Sequence, residues 1–74
     1  LHPDNAIAYN NRGVAQSDLG YDVKAIPDFN KAIELEPDFA LAYYNRGIAY
    51  QRMSVTEEAN SDNWQACYLD KKYC

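Results

Sequence analysis

The chain has 74 residues, of which 47% are hydrophobic and 24% charged, and its formal net charge is -4 at pH 7. This composition is typical of one small globular domain and excludes a disordered chain. The lysines and arginines are scattered and form no basic stripe, which argues against nucleic-acid binding. No apolar run reaches the roughly 18–20 residues that span a bilayer, so we also expect no membrane partner.

Apolar and small residues at helical spacing predict an all-α chain of four helices. Every connection between them is short, so neighbouring helices should run antiparallel. The predicted helices cover about residues 5–19, 22–35, 39–53 and 56–70.

Local residues predict where these helices begin and end. Gly20 can adopt the left-handed conformation that ends the first helix, and Asp22 is expected to cap the second. Pro37 should end the second helix, and Asp38 should cap the third. Thr56 is expected to cap the fourth helix, whose first turn carries two glutamates that favour the positive helix end.

The sequence repeats itself with a shift of 34 residues. LHPDNAIAYNNRG at 1–13 aligns with LEPDFALAYYNRG at 35–47, and Asp28 aligns with Asp62. A fixed period of this length indicates stacked repeats, in which each unit buries its apolar face on the next.

The repeated unit resembles the tetratricopeptide repeat (TPR), a helix–turn–helix of 34 residues. The matching positions are Tyr9, Gly13, Ala25, Phe29, Ala32 and Pro37 in the first copy and Tyr43, Gly47, Tyr50, Ala59 and Ala66 in the second. The resemblance implies a short right-handed α-solenoid cut from a longer array. Its expected parts are the tail of a preceding repeat at 1–3, repeat one at 4–37, repeat two at 38–71 and a tail at 72–74.

The second helix of repeat two departs most from this pattern. Asn60 and Asn63 stand where repeat one has Ile26 and Phe29, and burying an unpaired amide costs about 1–3 kcal/mol. We expect Trp64 to rotate inward and fill the gap. The helix is either a polar cap that ends the array or a drifted copy, and we favour the cap.

Three other residues also depart from the pattern. Pro27 lies about five residues into the second helix, so we expect a kink or a helix that starts properly only near Ile26. Arg12 and Arg46 stand where the family often has Leu, and we expect their apolar stems to pack along the groove of the array.

The sequence contains no arrangement that indicates catalysis, a metal or a cofactor. His2 is the only histidine and has no partner at ligand spacing, and two adjacent glutamates, Glu57 and Glu58, point in different directions on a helix. Cys67 and Cys74 would lie about 10 Å apart on one helix, so a disulfide requires the helix to end first. We expect one packed thiol and one frayed terminal thiol, and a segment that is not an enzyme.

The function that the resemblance implies is protein binding. In TPR arrays, the first helix of each unit lines a concave groove that takes an extended or helical peptide. Carried over by position, the groove residues are Ile7, Asn10, Asn11, Val14 and Ser17 from repeat one and Leu41, Tyr44, Asn45, Ile48, Gln51 and Arg52 from repeat two. The four aliphatic residues of this set fit contacts with an adjacent helix equally well.

Some TPR proteins grip acidic chaperone tails with a clamp of Lys, Arg and Asn. Only Asn11 and Asn45 match that clamp, while Asn10, Val14 and Leu41 fill places where it carries Lys or Asn. We therefore expect a partner peptide with apolar residues and no strong acidic signature.

Two alternatives to an interaction module remain. The segment could be a structural element that self-associates into a homo-oligomer through the exposed ends of the repeats, or a regulatory segment of a larger enzyme. Low cysteine use and the absence of an Asn-x-Ser/Thr sequon favour a cytoplasmic location.

Overall fold

The computed structural model describes residues 3–74, so the expectations about Leu1 and His2 lie outside the described residues. Four α-helices and one short 3₁₀ helix make up this range, which contains no strand. The predicted helix bounds differ from the observed ones by one residue at most. The helices are α1 (Ala6–Asp18), α2 (Asp22–Leu35), α3 (Ala40–Arg52) and α4 (Thr56–Leu69), followed by the 3₁₀ helix Lys71–Tyr73.

The helices form two hairpins that stack on each other. α1 packs along α2 and α3 packs along α4, while α2 and α3 form the main contact between the hairpins. None of the helices in residues 3–74 has the length and apolar character needed to cross a membrane. The four helices and their packing as two hairpins confirm the prediction of an all-α, helical-hairpin fold.

Small residues allow the helices of the stack to approach closely. Fully buried alanines lie on both sides of the junction between hairpins, Ala25 and Ala32 on α2 and Ala42 and Ala49 on α3, and Phe29 is the largest buried side chain there. Gly13 is essential to this fit, because a Cβ there would lie 2.6 Å from Cε1 of Phe29. At Gly47 the same added atom would instead meet Oδ1 of Asn63 at 2.9 Å.

The two hairpin turns use one conformation, and Gly20 adopts the predicted left-handed backbone with φ +88°. Its equivalent in the second hairpin is Ser54, which adopts φ 62° without being glycine. In both turns, paired backbone hydrogen bonds satisfy the last carbonyls of the preceding helix.

The predicted side-chain caps at Asp22, Asp38 and Thr56 are wrong. Asp22 and Thr56 are the first residues of their helices, and Asp38 lies one residue before the N-cap of α3. Among the four α-helices, only α1 has a side-chain cap, in which Asn5 accepts from the amide of Ala8 at 3.0 Å. The other three begin after residues whose side chains make no capping hydrogen bond: Tyr21, Phe39 and Val55.

Pro27 lies inside α2, which begins at Asp22, so the alternative in which this helix starts only near Ile26 is wrong. The helix runs without a break from Asp22 to Leu35, although a proline removes one backbone donor. The other alternative, a kink at Pro27, stays a prediction.

The predicted inward rotation of Trp64 is also wrong. The buried face of α4 is set by Ala59, Asp62 and Ala66, and Trp64 lies on the opposite side of the helix. Its side chain is 65% exposed and stacks on Tyr68 with ring centroids 5.3 Å apart. Asn60 and Asn63 are exposed as well, so they escape the penalty for a buried amide.

The cysteines form a disulfide, so the prediction of two separate thiols is wrong. The condition for a bridge is met, because α4 ends at Leu69 and the 3₁₀ helix turns the chain back. The α-carbons of Cys67 and Cys74 thereby come within 4.5 Å.

Candidate functional site

In each hairpin, an arginine of the first helix forms an ion pair with a buried aspartate of the second helix. Nε and Nη2 of Arg12 donate to the carboxylate of Asp28 at 2.7 and 2.6 Å. Arg46 makes the same two contacts with Asp62 at 2.8 and 2.7 Å. These hydrogen bonds raise the pKa of both guanidinium groups above the ordinary arginine value.

The expectation that these arginines lie along the groove is therefore wrong. Arg12 turns toward the partner helix and passes over the ring of Tyr9, with 5.7 Å between Cζ and the ring centroid. Arg46 does the same over Tyr43 at 5.5 Å. Burying a carboxylate without a counter-charge costs free energy. Both arginines therefore turn away from the surface of α1 and α3 and pair with the buried aspartates.

Two polar contacts join α1 to α3 across the hairpins. Nδ2 of Asn45 donates to Oδ1 of Asn10 at 3.2 Å, and Asn10 is 2% exposed. Near the other end, Nη1 of Arg52 donates to Oγ of Ser17 at 2.7 Å, and Ser17 donates in turn to Asp22 at 2.5 Å. Residues predicted to face a ligand thus also fix the spacing between the two helices.

A small cavity of about 70 Å³ lies between α1 and α3. Phe29 and two aliphatic side chains are the apolar part of its lining, and hydrogen-bonding groups surround them. Its lining residues are Val14, Ser17, Asp18, Phe29, Asn45, Ile48 and Arg52. Five of these seven belong to the groove set that was carried over from the TPR resemblance.

The other predicted groove residues lie outside this cavity. Asn10 is buried, and the remaining five are exposed: Ile7, Asn11, Leu41, Tyr44 and Gln51. Tyr44 also contacts Tyr73 of the 3₁₀ helix, with ring centroids 4.8 Å apart.

Sequence reasoning missed three residues of this region, which are Asp18, Phe29 and Tyr73. Phe29 matches a core position of the repeat, and it serves both as core and as cavity lining. Tyr73 could have been found, because the shift of 34 aligns it with Phe39. No pattern in the sequence distinguishes Asp18 from the other exposed acidic residues.

A second hollow lies at the turn end of the stack, and none of the predicted site residues lines it. It has a volume of about 370 Å³ and is lined by Gly20, Tyr21, Asp22, Val23, Lys24 and Met53. Within residues 3–74, no group of three or more His, Cys, Asp or Glu residues could hold a metal ion.

Comparison with known protein families supports the resemblance to TPR repeats. A family model described as TPR repeat matches residues 23–54, which include nearly all of α2, all of α3 and the junction between the hairpins. No curated protein matches the chain significantly. Together, the family match and the two stacked helical hairpins fit a repeat protein of the TPR family.

Proposed function

We propose that the surface formed by α1 and α3 binds an extended or helical segment of a partner protein. TPR repeats are generally protein-interaction modules, and the family is typically non-catalytic. The observation that carries the proposal is the cavity between α1 and α3, in which five predicted groove residues come together.

The cavity has the chemistry of a side-chain subsite. Val14, Ile48 and Phe29 supply apolar contacts, while Asn45 and Arg52 place hydrogen-bonding groups beside them. A volume of about 70 Å³ holds roughly two water molecules or a short aliphatic side chain. Ligand sites usually combine such an apolar lining with a few polar groups that fix orientation.

The buried polar residues support this surface from below. Asn10 accepts from Asn45 and Ser17 accepts from Arg52, so both groove side chains are oriented before a ligand arrives. Groups held in place lose less conformational entropy on binding. The exposed amides of Asn11 and Gln51 remain available to a peptide backbone.

The charges favour a partner without a strong acidic signature. Arg12 and Arg46 are engaged by Asp28 and Asp62, and Arg52 lies 3.7 Å from a carboxylate oxygen of Asp22. Each of these arginines therefore has an internal counter-charge. An acidic tail would have to displace these pairs, whereas an apolar peptide would not.

Selection of a random linear peptide library against the 74-residue chain tests the proposal. We expect apolar peptides, whose affinity falls roughly tenfold or more with Ile48→Ala and with Asn11→Ala. Tyr68→Ala is the matched control, because Tyr68 is exposed on the other face of the molecule and should leave binding unchanged. Loss of binding in the control alone, or no selected peptide, would contradict the proposal.

Self-association is the second candidate, and the exposed aromatic pair on α4 favours it. Trp64 and Tyr68 stack on each other in solvent, where they can be covered by a second copy. The molar mass across a concentration series, measured by light scattering with reductant present, separates the two candidates. The peptide-binding proposal predicts a monomer, and self-association predicts a mass that doubles with concentration and falls with Trp64→Ala.

A further inference from the structure

The chain after α4 takes the same backbone path as the connection between α2 and α3. Asp70 is extended like Glu36, with φ −151° and ψ 117° against φ −136° and ψ 90°. The amide of Tyr73 donates to the Asp70 carbonyl at 3.0 Å, as the amide of Phe39 does to the Glu36 carbonyl at 3.0 Å. Residues 70–73 therefore repeat the geometry of residues 36–39.

The two repeats differ in the residue that comes directly after this path. After Phe39 the chain enters α3 at Ala40, and the equivalent position holds Cys74. Cys74 is bonded to Cys67, which stands where repeat one has Ile33. A covalent bond thus joins the two positions that hold Ile33 and Ala40 in repeat one.

The fixed tail covers part of a proposed binding residue. Tyr73 is half-buried, and its ring lies 4.8 Å from the ring of Tyr44, which remains 37% exposed. Tyr44 belongs to α3 and to the proposed peptide-binding surface. The position of the tail therefore determines how much of this surface a partner can reach.

We propose that the Cys67–Cys74 disulfide is a redox-sensitive latch that holds Tyr73 against Tyr44 and restricts access to the binding surface. Reduction releases the tail and exposes the ring of Tyr44. This inference rests on the proposed function for its effect on binding, while the motion of the tail can be measured without any ligand.

The chemistry of the latch is thiol–disulfide exchange with a thiol reductant. A reductant thiolate attacks the sulfur of Cys74, which is exposed, and the sulfur of Cys67 leaves as a thiolate and takes up a proton. A second reductant thiol resolves the mixed disulfide and frees Cys74. Two electrons and two protons pass to the cysteines, and the reductant becomes a disulfide. An added disulfide oxidant reverses the reaction.

Little else holds the tail once the bond is broken. The 3₁₀ helix has three residues, and its hydrogen bonds are made by the amides of Lys72, Tyr73 and Cys74 to Asp70 and Lys71. A single helical turn of this kind is marginal in water without tertiary contacts. Outside this turn, the tail contacts α3 through the Tyr44–Tyr73 pair and lies against the end of α4.

NMR of the free chain with and without dithiothreitol tests the latch. The oxidised protein should show nuclear Overhauser contacts between the rings of Tyr44 and Tyr73, and reduction should remove them. Exchange of the amides at residues 72–74 should accelerate at least about tenfold, while those of α1 and α2 stay unchanged. The Cys67→Ser/Cys74→Ser variant should match the reduced protein and should not respond to dithiothreitol.

Two results would overturn the latch. One is a set of ring contacts and exchange rates that are the same in oxidised, reduced and double-serine proteins. The other is two free thiols in protein treated with oxidised glutathione, because then the bond does not form. Neither result affects the Ile48→Ala test. If the tail opens as expected, a selected peptide should bind the reduced protein more tightly, and equal affinities would overturn the link to binding alone.

Discussion

The two repeats share a backbone but differ in what their second helices bury. α2 places Phe29 and Ile26 in the junction between hairpins, whereas α4 carries exposed asparagines at the equivalent positions. The Arg–Asp pair, the glycine and the alanines recur in both. Small residues and one ion pair are therefore the features that both hairpins share. Packing of large apolar side chains occurs at the junction between the hairpins.

The largest difference should appear on truncating the residue that α2 buries. Phe29 is one of the largest fully buried side chains, so Phe29→Ala should lower the free energy of unfolding by about 3–5 kcal/mol. Asn63→Ala changes the equivalent exposed residue and should have an effect within about 0.5 kcal/mol. Urea denaturation followed by circular dichroism checks both, and equal losses would contradict the contrast.

The ion pairs should show a smaller difference. Arg46→Ala leaves Asp62, which is 3% exposed, without its partner, and should cost about 2 kcal/mol because Arg46 is itself partly solvated. Arg12→Ala should cost less, since the side chain of Arg12 is 51% exposed against 20% for Arg46. The same denaturation series would contradict this order if Arg12→Ala were the more damaging change.

The pH dependence of the Arg46 contribution can be derived from its raised pKa. The pKa of the Arg46 guanidinium is higher in the folded protein than in the unfolded chain. The contribution of Arg46 to stability is therefore fully present at any pH below the pKa of the unfolded chain. That contribution is lost only as the pH rises through the folded value. The difference in stability between the original chain and Arg46→Ala should therefore not decline between neutral pH and pH about 10.

The two helix glycines sharpen the comparison further. In Gly13→Ala the added carbon meets the immobile ring of Phe29, and we expect a loss of about 1–2 kcal/mol. In Gly47→Ala it meets the side-chain oxygen of Asn63, which can rotate away, and lies 3.2 Å from Cβ of Asp62, while higher helix propensity returns up to about 1 kcal/mol. Thermal unfolding should show a smaller loss for the second variant than for the first.

The smallest expected effect lies in the hairpin turns. Ser54 adopts a left-handed backbone that glycine adopts without strain, so Ser54→Gly should stabilise the chain by about 0.5–1 kcal/mol. The reverse exchange at the equivalent turn, Gly20→Ser, should destabilise it by a similar amount. Changes of the same sign in the two variants would contradict this interpretation.

The sequence encodes the helices and the hairpins because both depend on local spacing. The shift of 34 and the recurring small residues were enough to predict four helices within one residue of their observed bounds. The groove set carried over from the resemblance also includes Val14, Asn45 and Ile48, which line one cavity. The helix bounds could be predicted because they depend on spacing along the chain, whereas the binding role of the cavity residues stays a prediction.

Contacts between distant residues were harder to predict. Arg12 and Asp28 each align with an identical residue one repeat later, so the sequence shows that both residues recur. It does not show that the arginine and the aspartate form an ion pair. The end of α4 was predicted within one residue, but nothing in the sequence indicates that the chain after Leu69 turns back toward Cys67. The orientation of Trp64 depends on which face of α4 is buried, and a helix without an apolar stripe does not indicate that face.

Mapping of backbone amide shifts during titration with a selected peptide is the most direct test of the proposed binding surface. We predict that the largest changes fall in α1 and α3, around Val14, Asn45 and Ile48, and that the outer face of α4 stays unchanged. Changes centred on Trp64 and Tyr68, with α1 and α3 unaffected, would contradict this prediction and move the interaction surface to the other side of the molecule.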